Sequence, residues 1–262
     1  MEERKDRTLE RLRKPFQGVL NIVRFNWQFY VIAAGAILCV YLLSDQLIYH
    51  LRLAGLIFCY ILLITTIISL IVSFYVYDLS PLYKFKWLQD LAILPNSRVV
   101  NINAGFDEIS HLISAELPGS DLIVYDFYDP LKHTEVSIRR ARKVYLPFSG
   151  TQQISTANIP LPDNCVDMTL VMFAAHEIRQ ADERIAFFRE LNRILNNEGR
   201  VIIVEHMRDA LNFAAYNVGF FHFFSRVSWL NTFSDAKLFV EKELNLTPFV
   251  KIFVLNKNES ES

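Results

Sequence analysis

Charge is missing where a soluble protein would carry it. Two stretches of this 262-residue sequence, Phe25 to Ser44 and Leu53 to Tyr77, contain no Asp, Glu, Lys or Arg. Cysteine is scarce as well: there are 3, two of them (Cys39 and Cys59) inside those stretches, which excludes a disulfide-stapled scaffold. Neither sign of charge dominates, because 27 Lys and Arg face 28 Asp and Glu for a net charge of −1. The chain therefore lacks the basic footprint of a nucleic-acid binder, and no nucleic acid is expected as a partner. With 52% hydrophobic residues it is also too apolar for disorder.

About 20 apolar residues, each rising about 1.5 Å along a helix, cross the hydrocarbon core of a bilayer. Both uncharged stretches meet that requirement. They are centred on Phe29–Leu43 and Leu53–Tyr75 and joined by a link carrying Asp45, His50 and Arg52. Residues 1–24 hold seven Lys/Arg against four Asp/Glu, and Lys84 and Lys86 follow the second stretch. The positive-inside rule then puts both ends in the cytoplasm. The charged start is long and the first apolar run lacks a small-x-small exit, so no cleavable signal is expected.

Three parts follow: a basic cytoplasmic N-terminal segment (1–24), a two-helix transmembrane hairpin (25–80) and a third part over 81–262. The first reads as a solvated topogenic helix, or as a lipid-headgroup-binding one, with Leu9, Leu12 and Phe16 on one face. Tyr75, Tyr77, Tyr83 and Trp87 read as an interfacial aromatic belt. From Pro81 onward the composition is ordinary and the pattern alternates. Strands are predicted at Arg98–Asn103, Asp121–Phe127, Cys165–Phe173 and Arg200–Glu205, and helices at Asp107–Glu116, Glu135–Lys143 and Asp182–Asn196. Apolar strands alternating with helices indicate an α/β domain with a parallel, Rossmann-like sheet covered on both faces. Phe239–Asn245 and Phe249–Asn256 are too close for a helical crossover and should form an antiparallel hairpin.

Ligands of such sheets bind beyond the carboxyl ends of the strands. Polar residues gather at four of these ends: Asn103 to Asp107, Asp126 with Asp129, His176-Glu177, and Glu205-His206. His176 and His206 are the candidate bases by ordinary pKa, with Glu177 and Glu205 as orienting or basic partners; each histidine could equally hold a loop carbonyl. His176, Glu177, Glu205, His206 and His222 could converge on one ion. The zincin helix spacing fails, however, because Gln180 stands where a second His is needed, and no metal is expected. Phe213 to Phe233 is rich in aromatics and reads as an aromatic lid or as plain core, with Gly219 breaking its helix; Tyr216 and His222 would be the lid's contacts to substrate.

Two motifs carry a resemblance. Ile159-Pro-Leu-Pro-Asp-Asn-Cys-Val-Asp167 resembles the "LPF-D-(N/G)-S-F-D" lead into strand four of the class I S-adenosylmethionine-dependent methyltransferases of the ubiquinone/menaquinone type. Glu190-Leu-Asn-Arg-Ile-Leu-Asn-Asn-Glu-Gly-Arg200 resembles their "E-x-x-R-V-L-K-P-G-G-R" before strand five. The resemblance covers about Arg98 to Phe253. It implies a seven-stranded methyltransferase sheet, S-adenosylmethionine as cofactor, and a cofactor site at Asn103, Gly105, Asp107, Asp126, Ser155 and Phe173. Asp126, or Asp129 if the strand end is read later, would accept the ribose hydroxyls. Asp107 could meet the ammonium, Ser155 stands where the family's adenine-binding Asp does, and Phe173 belongs to the cofactor wall. The glycine-rich turn departs from the family pattern: Asn101 replaces an acidic residue and Asn103 the first glycine, a place Asn can take by tolerating left-handed backbone. The expected protein is a membrane-anchored methyltransferase for a lipophilic small molecule. The alternative is a degenerate fold serving as a membrane interaction module.

Overall fold

The computed structural model describes residues 13–89, 96–133 and 135–257. Leu9 and Leu12 lie outside them. The described residues begin with three helices: α1 (Gln17–Phe25), α2 (Trp27–Leu43) and α3 (Tyr49–Phe74). α2 and α3 form the hairpin and are long and apolar enough to cross a membrane. α2 buries none of its residues and α3 only Ser73, so the protein leaves most of the surface of both helices uncovered.

α3 ends in one π-helical turn, Tyr75–Leu79, whose carboxylate caps α1: Asp78 Oδ1 and Oδ2 accept the Gly18 and Val19 amides at 2.8 Å each. Residues 13–25 are therefore packed rather than solvated. Glu108 draws them down, accepting from Asn21 Nδ2 at 2.9 Å and pairing with Arg13 at 3.5 Å. Tyr77, Tyr83 and Trp87 do not make an interfacial belt. Tyr83 and Trp87 are buried, and Tyr77 turns toward His206.

The α/β domain carries one seven-stranded sheet in the order β3-β2-β1-β4-β5-β7-β6. Its strands are β1 (Arg98–Asn103), β2 (Asp121–Asp126), β3 (Gln152–Gln153), β4 (Val166–Met172), β5 (Leu195–His206), β6 (Phe239–Thr247) and β7 (Val250–Asn256). β1 to β5 pair in parallel, and β7 runs antiparallel between β5 and the edge strand β6. Helices α4 (Ser110–Glu116), α5 (Val136–Val144), α6 (Ala181–Ile194), α7 (Ala210–Tyr216) and α8 (Arg226–Asp235) complete the domain.

The apolar runs of β1, β4, β5 and β7 serve two cores, as strands covered on both faces must. Ile102, Val171, Ile203 and Phe253 pack with Phe187, Phe188 and Trp229 on one side. Val99, Leu170, Ile202 and Val204 pack with Leu82, Phe85 and Ile113 on the other. The second core thus includes the segment leaving the hairpin, which fixes the hairpin to the domain. α4 starts at Ser110 rather than Asp107, because Asp107 Oδ1 accepts the Ile109 and Ser110 amides and caps the helix from outside.

The aromatic stretch divides in two. Trp229 and Phe233 on α8 are core, while Phe213, Val218 and Phe221 are exposed around α7 and a 3-10 turn, Asn217–His222. α7 packs against α3. The break after α7 falls at Asn217, at φ 50°, rather than at Gly219.

Candidate active site

The carboxyl ends of β1, β4 and β5 open into a cavity of about 1060 Å³. Its wall is continuous from Asn101, Asp107, Phe173, His176 and His222 on the domain to Phe29, Ala33, Phe58 and Thr65 on the hairpin.

At β1, Asn103 takes the place of a turn glycine without left-handed backbone; it remains a strand residue. Its side chain does the work instead: Oδ1 accepts the Gly105 amide at 3.0 Å, and Nδ2 donates to the Tyr125 carbonyl at 3.1 Å. Gly105 itself is at φ +95°, and a Cβ there would collide with Arg142 Nη1 and the Tyr128 side chain. Asp126 closes β2. One carboxylate oxygen accepts the Tyr128 amide at 2.8 Å, and the other pairs with Arg142 at 2.5 Å. Asp129 is engaged locally, accepting the Leu131 amide at 2.9 Å. Ser155 is an exposed turn residue whose hydroxyl accepts the Ala157 amide.

Two buried oxygens near the turn have no hydrogen-bond partner, Asn101 Oδ1 and Asp107 Oδ2. Their residues touch, Asn101 Nδ2 lying 3.4 Å from Asp107 Oδ1, and both line the cavity. Paired bare acceptors, one anionic, suit an ammonium. These acceptors are compatible with the ammonium of the cofactor that the resemblance implies, whereas Asp126, paired with Arg142, lies outside the cavity lining.

At β4, Phe173 follows the last strand residue at φ 50°, a conformation that costs a bulky residue on the order of 1–3 kcal/mol and concentrates at functional sites. Its ring stacks on His206 at 4.9 Å, and Phe223 stacks on the same imidazole at 4.9 Å. His206 is fully committed: Nδ1 donates to the Phe249 carbonyl, and Nε2 accepts from the Tyr77 hydroxyl, each at 2.8 Å. Burial pushes its pKa down to about 4. As a direct base it is blocked, and its lone pair is reached only through Tyr77.

His176 stands apart from it. The ring Nδ1 meets Glu205 Oε2 at 2.7 Å, and Glu205 Oε1 also accepts the His176 amide. Burial opposes charge on this imidazole, but Glu205 and then Glu177 outweigh it and push the pKa up to about 10. Glu177 would likewise be raised by burial, yet hydrogen bonds from His176 and His222 hold it well below the usual carboxylate range. His222 Nε2 lies 3.2 Å from Glu177 Oε1. His176, Glu177, Glu205 and His222 thus converge, while Tyr216 lies beside the His206 ring with its buried hydroxyl interacting with that of Tyr77.

Sequence reasoning overlooked Arg142, Tyr128, Tyr77, Glu135 and Arg179. Arg142 sits in an ordinary amphipathic helix and Tyr77 at the end of an apolar run, so neither carried a local signal.

Residues 116–203 match the family model described as methyltransferase domain. That span includes Asp126, Ser155, Phe173, His176 and Glu177 and begins after the β1 turn. A search of the curated proteins finds no significant match. Among solved structures, the chain is similar to an S-adenosylmethionine-dependent methyltransferase from Aquifex aeolicus: 18% identity, 65% of this chain and 87% of that one, TM-score 0.48. It is similar to the YcgJ protein of Bacillus subtilis at 17% identity, covering 68% and 99%, TM-score 0.45. It is also similar to geranyl diphosphate C-methyltransferase from Streptomyces coelicolor, solved with S-adenosyl-L-homocysteine, at 12% identity over 67% and 78%, TM-score 0.48. Over residues 116–203, on a sheet whose last pair of strands is antiparallel, the α/β domain matches a methyltransferase domain.

Proposed function

We propose that this methyltransferase is anchored in a membrane by α2 and α3, with its domain on the cytoplasmic side, and that it methylates a lipophilic small molecule. The observation that carries the reading is the single cavity joining the hairpin to the strand ends. An acceptor dissolved in the bilayer would enter between α2 and α3 and present its reactive atom near Phe173 and His176. Anchoring keeps enzyme and acceptor in one thin layer and raises the effective concentration of each for the other. The apolar, uncovered surface of both hairpin helices supports insertion.

Asp107 and Asn101 would hold the cofactor's ammonium and Asp126 its ribose. The cofactor supplies a methyl group on a sulfonium, an electrophile that needs an aligned nucleophile in a dry site. Phe173, Phe223 and the α7 segment exclude water there. His176, held by Glu205 and Glu177, brings positive charge to the site rather than a free base.

The test is calorimetry of S-adenosylmethionine and S-adenosylhomocysteine with detergent-solubilised protein, followed by transfer of labelled methyl into a membrane lipid extract. Micromolar binding of both and label in the organic phase are expected. A folded protein that binds neither refutes the reading and favours an interaction module; label confined to water-soluble acceptors refutes the lipophilic substrate.

A further inference from the structure

Beside the methyl-transfer pocket lies a group of side chains that proton handling alone does not explain. Among the described residues, one set of His and acidic groups has its ligand atoms close enough to share an ion: His176, Glu177 and His222, all within 4.8 Å. Both imidazoles direct Nε2 at the same oxygen. Glu177 Oε1 is 3.3 Å from His176 Nε2 and 3.2 Å from His222 Nε2. Donors bound at about 2.0–2.1 Å around a tetrahedral ion stand about 3.3 Å apart, so these spacings are those of two tetrahedral edges.

The far side of each ring tells the same story. His176 Nδ1 is held by buried Glu205 at 2.7 Å, and His222 Nδ1 faces Glu135 Oε1 at 3.5 Å. A carboxylate behind a histidine fixes the tautomer that leaves Nε2 free to ligate and is the usual outer shell of a metal-bound imidazole. Arg179 ties the two histidine segments together, donating from Nη1 to the His176 carbonyl at 3.1 Å and the His222 carbonyl at 2.6 Å. Three carboxylates therefore surround two imidazoles, with Glu205 and Glu177 buried. Such a cluster requires cations, either a proton on each ring or one ion in their place.

We propose that His176, Glu177 and His222 form a binding site for a divalent transition metal of the zinc type, with Glu205 and Glu135 as its outer carboxylates and an open position toward the cavity. Two nitrogens and one carboxylate oxygen are a donor set for zinc or iron(II) and a poor one for magnesium or calcium. At the open position the ion would bind an oxygen or sulfur of the acceptor and hold it in place. That role rests on the function proposed above; the site itself does not.

Zinc(II) and cobalt(II) are the probes, added to chelator-stripped full-length protein in detergent. About one equivalent of bound zinc by elemental analysis, with a cobalt(II) visible spectrum of low-symmetry four- or five-coordination, is expected. His222→Ala removes a half-exposed ligand outside the core, and Glu177→Gln keeps the shape of a buried one. Each should lower metal affinity at least tenfold while S-adenosylmethionine binding persists. Failure of the stripped wild type to take up either metal at 10-fold molar excess overturns the site, as does undiminished affinity in both variants. Cofactor binding by a wild type that takes up neither metal would sink this inference alone, whereas metal binding without cofactor binding would sink the proposed function alone.

Discussion

Asp126 is the residue for which Arg142 and the expected cofactor compete. Its carboxylate ends β2 facing the turn at Gly105, yet Arg142 holds one oxygen, and the guanidinium lies 4.4 Å over the Tyr128 ring. The Arg142 side chain is about a third exposed, at 32%, so water can replace the carboxylate around it and the exchange costs little. A ribose diol donating to both carboxylate oxygens would take the place of one charged contact with two hydrogen bonds. Asp126→Ala should therefore weaken S-adenosylmethionine binding at least tenfold, about 1.4 kcal/mol, while Arg142→Ala leaves it unchanged or tightens it. Calorimetry on the two variants decides this. Equal losses would mean that the guanidinium holds the bound cofactor rather than standing in its place.

α1 shows how a short element can depend on one distant side chain. Phe16 precedes it at φ 60° with no capping side chain of its own, and both of its first free amides go to Asp78 on the π-turn. Gly18 permits that approach, since a Cβ there would collide with the Tyr77 Cβ. Asp78→Ala should cost about 1 kcal/mol, the ordinary worth of an N-cap, and loosen α1 from the cavity wall. Gly18→Ala should force the same displacement by contact. Limited proteolysis near residues 13–25, with the melting temperature alongside, reports both; unchanged cleavage would show that Glu108 and Asn21 suffice.

This docking was not legible in the sequence, where the charges of residues 1–24 read as solvated and as a topology signal. What could be read was whatever depends on local pattern: the apolar strands, the length of the two uncharged helices and the polar strand ends. β3 is two exposed residues and left no periodicity. The site was legible as strand ends, so His176, Glu177 and Glu205 stood out together. His206 looked equivalent to His176 by position, and only the Phe249 carbonyl and Tyr77 hydroxyl, brought in from 43 and 129 positions away, separate the two.

At the scale of the molecule, the hairpin and the domain share one interior. The less exposed positions on α3 include Leu62, Thr65, Thr66, Ser69 and Ser73, which apart from the adjacent Thr65 and Thr66 recur three or four residues apart on one side of the helix. Leu62, Thr65, Thr66 and Ser69 line the cavity, opposite Ala33 and Ala36 one turn apart on α2. Small side chains on both helices leave a channel that larger ones would close, and its far end is the methyltransferase site. Ser69→Trp fills that channel without touching Asp107, Asp126 or His176. Its effect should depend on the size of the acceptor: kcat/KM for a long-chain acceptor should fall at least tenfold, while the Kd for S-adenosylmethionine and the turnover of a short, water-soluble analogue stay near wild type. Loss that is equal for long and short acceptors would mean that the substitution disturbs the site and not the route. No loss for either would mean that acceptors reach the strand ends from the aqueous side, past the exposed Phe213 and Phe221, leaving the hairpin as an anchor only.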